Sequence, residues 1–76
     1  MDYEIEMLFI AQGEALQRVR CVIKEEKRIG KLALAHKLDD DLMREWKRAR
    51  QRSENAHRRF EAITNKIKAY QARIAS

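Results

Sequence analysis

Proline is absent from this chain, and glycine occurs only at Gly13 and Gly30. Nothing in the interior therefore forces a helix to break. Cys21 is the single cysteine, which excludes an intrachain disulfide. With His36 and His57 it makes three side chains able to bind a soft metal. They lack the short ligand spacing of such sites, so no metal centre is expected.

Long apolar runs are missing too. Met7–Ala11 is far too short to span a membrane. The acidic opening MDYEIE is the reverse of a basic secretion signal. A cytoplasmic location is the resulting expectation, and a lone free thiol agrees with it. Cys21 itself, just outside the main apolar stripe, is expected to be half-buried and inert.

Chemistry is scarce. There is no glycine-rich phosphate loop, zinc-finger spacing or aromatic RNA-binding motif. Ser53, Thr64 and Ser76 have no base and acid arranged around them. Ser53 and His57 stand one helical turn apart, which suits a local hydrogen bond. His36 reads as an interface residue near a turn. No enzyme activity, cofactor or small-molecule substrate is expected, and the residues match no family's defining pattern.

What the sequence has in abundance is helix-forming residues: Ala, Leu, Glu, Lys, Gln, Arg and Met dominate, and no stretch alternates as a strand does. At 76 residues the chain is one domain at most, residues 1–76. A domain that small buries only about 60% of its unfolded surface and usually needs extra support. The fold class is all-α.

The C-terminal half carries the clearest pattern. Apolar or small residues fall at Leu42, Trp46, Ala49, Ser53, Ala56, Phe60, Ile63, Ile67, Tyr70 and Ile74. The steps alternate four and three, the 3.5-residue repeat of coiled-coil packing. A helix over about 40–75 is predicted, opened by Asp39, Asp40 and Asp41, one of which serves as N-cap.

The N-terminal half is less regular. Ile5, Phe9, Leu16, Val19 and Ile23 form a stripe with Gln12 inside it; Leu8, Ala15, Val22 and Ile29 lie beside it. The first helix starts near residue 3 and ends either near 29, with Gly30 as its cap, or near 37. The turn then falls within about 30–40. Gly13 reads as a surface glycine, with a close helix crossing as the alternative. A short connection returns the second helix antiparallel to the first. In that arrangement Glu4 and Glu6 approach Arg73, and Glu14 approaches Lys66. The predicted architecture is a coiled-coil-like two-helix hairpin.

One hairpin has a thin core. Phe9, Leu8, Ile10, Val22 and Leu34 are more apolar side chains than one partner helix covers. A protein partner or self-association, as a dimer or four-helix bundle, is therefore expected to complete the hairpin. The residues expected to carry it are Phe9, Leu16, Trp46, Phe60, Ile63 and Ile67.

The net charge is +5, and it is unevenly spread. Residues 1–14 carry four acidic side chains and no basic one, whereas residues 42–76 carry ten basic against three acidic. Lys47, Arg48, Arg50, Arg52, Arg58 and Arg59 form the candidate contacts to an acidic partner. The preferred reading is a non-enzymatic interaction module: an adaptor, small regulator or chaperone-like binder of helices. The alternative is a small dimeric nucleic-acid-binding regulator using those same cations. The apolar seam runs through the basic segment, and three Asp fill the turn, which fits a DNA reader poorly. Membrane binding is not expected.

Overall fold

The computed structural model describes residues 3–75. Two long helices, α1 (Tyr3–Ala35) and α2 (Asp40–Ala75), fold back on each other as an antiparallel hairpin. No strand occurs among the described residues. The molecule is a rod of 57 × 17 × 13 Å. Its radius of gyration is 17.2 Å, against about 11 Å for a compact domain of this length.

α1 runs straight through Gly30, and no described residue adopts a positive φ. A glycine cap is therefore not what stops it. The last turn closes when the His36 N–H donates to the Leu32 carbonyl at 3.0 Å. The Asp39 N–H then donates to the His36 carbonyl at 2.9 Å, which turns the chain. His36 is exposed on this turn, and Leu38 beside it is 99% exposed.

Asp39 is the N-cap of α2. Its Oδ1 accepts from the N–H groups of Asp41 at 3.0 Å and Leu42 at 3.2 Å. These are two of the four amides that the first turn of a helix cannot satisfy internally. Its own carbonyl accepts from the Met43 N–H at 3.2 Å, which begins the helical ladder. Asp40 and Asp41 add negative charge at the positive end of the helix dipole.

The seam of α2 follows the predicted repeat. Ala49, Ser53, Ala56, Ile67 and Tyr70 are buried; Leu42, Trp46, Phe60 and Ile63 are half-buried. Ile74 departs from it at 69% exposed.

The seam of α1 differs from the stripe read in the sequence. Its inward positions are Leu8, Gln12, Ala15, Val19, Val22, Glu26, Ile29 and Ala33, again in alternating steps of four and three. Phe9, Leu16 and Ile23 lie along its edge. The core cluster joins Val19 and Val22 to Ala56 across the helices, with Ile23 and Phe60 packed against it. Burying this stripe supplies the main driving force, because each large apolar side chain removed from water contributes about 1.5–3 kcal/mol.

Three contacts define the register. Gln12 Nε2 donates to Thr64 Oγ1 at 3.1 Å. Arg50 Nε lies 3.8 Å from Glu26 Oε1. Trp46 rests on Gly30, where a Cβ would stand 3.1 Å from the indole Nε1. The paired numbers add to 76 in each case, so the helices keep one register without a slip. Glu26–Arg50 is the cross-helix ion pair among the described residues. Glu14 and Lys66 do not form the pair expected from their order along the chain.

Candidate interaction surface

The hairpin leaves unequal surfaces. Of the large hydrophobic side chains that stay exposed, Tyr3, Met7, Phe9, Ile10, Leu32 and Leu34 all belong to α1. α2 exposes only Ile74 among its described residues. The cause lies in composition. α2 confines its apolar residues to the seam and surrounds them with cations. α1 carries apolar residues around much of its circumference, and α2 covers just one side. Such a helix is suited to burial against more than one neighbour.

The residues expected to carry assembly take different places. Phe9 is exposed, and Leu16, Trp46, Phe60 and Ile63 are half-buried. Ile67 is buried at 5% exposure, so it serves the seam between α1 and α2 rather than the outer surface. α2 likewise covers Val22 and part of Leu8, while Phe9, Ile10 and Leu34 remain open. Tyr3, Met7 and Leu32 are further open side chains that the stripe pattern did not single out. Tyr3 and Met7 lie on the face of α1 opposite its seam, and Leu32 flanks the seam beside Ala33.

Trp46 sits at a small cross-helix cluster. One side of its indole meets Gly30, and the Arg50 guanidinium lies 5.4 Å from its ring centroid. Arg50 in turn reaches Glu26. A comparable stack at the other end puts the Arg73 guanidinium 5.5 Å from the Tyr70 ring. Cation–π contacts of this exposed kind contribute about 0.5–1 kcal/mol.

The six candidate cations are all exposed, but the helix does not gather them. At 3.6 residues per turn, Arg48, Arg52 and Arg59 share one stripe beside the seam, which Lys66 continues. Arg50 lies on the opposite flank, over Trp46. Lys47 and Arg58 point further round the outer surface. Arg28 and Glu25 of α1, with Glu45 of α2, border the near end of the Arg48–Arg52 stripe in a shallow charged depression.

A second depression lies on the outer side of α1. Lys24, Lys27, Arg28 and Lys31 surround Leu32 there, and its wall is mostly carbon. Long basic side chains do this by laying their methylene stems along apolar surface while the charges stay in water. The result is an apolar patch with a cationic rim.

The His57 Nδ1–H donates to the Ser53 carbonyl at 2.7 Å, not to its hydroxyl. No group of three or more His, Cys, Asp or Glu able to hold a metal occurs among the described residues. Cys21 is exposed on the outer face of α1, not half-buried as its neighbours suggested. Among the described residues no helix is long and apolar enough to cross a membrane. No known family model, curated protein or solved structure matches this chain.

Proposed function

We propose that this protein is a non-enzymatic helical interaction module of the cytoplasm, which packs α1 and the half-covered edge of the seam against a helix of an acidic protein partner. The observation that carries this reading is the concentration of exposed apolar side chains on α1, beside cationic stripes on both helices. An acidic amphipathic helix would satisfy both features together. Its apolar face would cover Phe9, Leu16 and Phe60, and its carboxylates would meet the flanking cations. Electrostatic complementarity of this kind governs which partner is chosen and how fast it arrives more than how tightly it is held. An adaptor, small regulator or chaperone-like binder would work in this way.

The second reading is nucleic-acid binding through Arg48, Arg52, Arg59 and Lys66, whose alignment along one stripe is the feature in its favour. Against it stand the spread of the remaining cations and the carboxylates of Glu25 and Glu45 at the near end of that stripe.

Fluorescence-anisotropy titration of the full chain against a labelled acidic amphipathic peptide and a labelled DNA duplex, at low and moderate salt, separates the two. The proposal expects peptide binding that Phe9→Ser weakens, with little duplex binding. Tight duplex binding lost in Arg48→Gln/Arg52→Gln, with no peptide binding, would overturn it.

A further inference from the structure

We infer that α1 of a second copy is a partner helix for the outer face of α1, its acidic first half packed antiparallel on the basic second half across a two-fold axis near the middle of the helix. This rests on the interaction-module reading and extends it to the face of α1 turned away from α2.

The first argument is charge. From Tyr3 to Glu14, α1 carries only acidic charged side chains; from Arg18 to Lys31 it is predominantly basic. Two such helices placed head to tail set each acidic end on a basic end. A two-fold axis makes this happen twice for one set of contacts, as an isologous interface requires. Aligned about the helix midpoint, Glu14 stands opposite Lys24 of the second copy. Ile10 then stands opposite Arg28 of the second copy.

The second argument is shape and polarity. Tyr3, Met7 and Ile10 follow steps of four and three on the face of α1 turned away from α2, and all three are exposed. The patch around Leu32, with its rim of lysine and arginine, lies further along the same helix and is turned outward too. Apolar side chains flanked by carboxylates are what such a patch accepts. The chain thus carries both a plug and its socket, at opposite ends of one helix.

The third argument is area. The hairpin exposes 6213 Å², about 1,300 Å² more than a compact monomer of its 9.1 kDa mass. A standard interface removes about 800 Å² from each partner. The excess is therefore large enough to supply one.

The test is made on the full chain. Light scattering should give a dimer. In a Cys21→Ser background, Ile10→Cys/Arg28→Cys should form a covalent dimer under mild oxidation. Within one chain these two positions lie about 27 Å apart and cannot bridge. Neither Ile10→Cys nor Arg28→Cys alone should cross-link. Glu14→Lys should weaken the dimer about tenfold, and adding Lys24→Glu should restore it, with helicity by circular dichroism unchanged throughout. Cross-linking of Ile10→Cys alone would overturn the antiparallel pairing, as would a chain monomeric at every concentration. A monomer that still binds an acidic amphipathic peptide defeats this inference alone. A monomer that binds none defeats the interaction-module reading with it.

Discussion

The indole of Trp46 lies directly against the backbone of Gly30, filling the space a side chain would take: a Cβ there would meet Nε1 at 3.1 Å and Cε2 at 3.4 Å. Glycine inside a helix costs about 1 kcal/mol relative to alanine. Here that cost is offset by letting the largest side chain of α2 dock on α1. Gly30→Ala should therefore gain less than its helix propensity alone suggests, because the ring must shift. In a Trp46→Ala background the obstacle is gone, and the same substitution should stabilise by about 1 kcal/mol. Urea unfolding of the four proteins in a double-mutant cycle should give a coupling above about 0.5 kcal/mol. Additive effects would show that the contact has no energetic consequence.

Gly13 is the contrasting case. A Cβ there meets nothing within 4 Å, which removes a crossing with α2 as its reason. Gly13→Ala should raise stability by about 1 kcal/mol through helix propensity alone. Thermal unfolding followed by circular dichroism measures this. A loss of stability would mean that something passes close to Gly13 in solution.

Among the three aspartates at the turn, only Asp39 caps α2. Asp39→Ala should cost about 1 kcal/mol. Asp40→Asn and Asp41→Asn remove one helix-dipole interaction each, and each should cost less than about 0.5 kcal/mol at moderate salt. Chemical denaturation of the three variants ranks them. Equal losses would assign the role to collective charge instead of to the two hydrogen bonds.

Gln12, at a seam position of α1, and Thr64, beside the seam of α2, form a cross-helix polar pair. Thr64→Val leaves the Gln12 amide short of a partner and should cost about 1 kcal/mol. Gln12→Leu with Thr64→Val should recover most of this loss, since replacing both partners by apolar groups is close to neutral. Polar residues at seam positions also hold a register. The double variant is thus expected to show broader amide resonances as neighbouring registers become populated. Sharp spectra would assign register to the remaining contacts.

The two halves of the sequence differed in legibility for one reason. In α2, small and apolar residues occupy nearly every seam position, so spacing alone located the buried face. In α1, Gln12 and Glu26 stand at seam positions while Phe9, Leu16 and Ile23 flank them. Hydrophobicity therefore pointed about one residue off the true line. Gly30 misled in a similar way: as a punctuation mark it suggested a helix end, whereas its role is to receive Trp46. That role depends on a residue sixteen positions later, and no local pattern encodes it. The cations of α2 were visible as a run, but a run on a helix is distributed around it, which separates Arg50 from Arg48 and Arg52.

An unbroken register from the turn outward has a consequence for how the rod opens. Gly30–Trp46 closes a short loop, Glu26–Arg50 a longer one, and Gln12–Thr64 encloses most of the chain. The entropy lost in closing each grows with its length, so pairing begins beside His36 and fastens toward the far end like a zip. The teeth around Tyr3 and Ile74 engage last and part first. They are also the teeth with the barest apolar flanks, so a neighbouring molecule that grips α1 there would hold the zip shut.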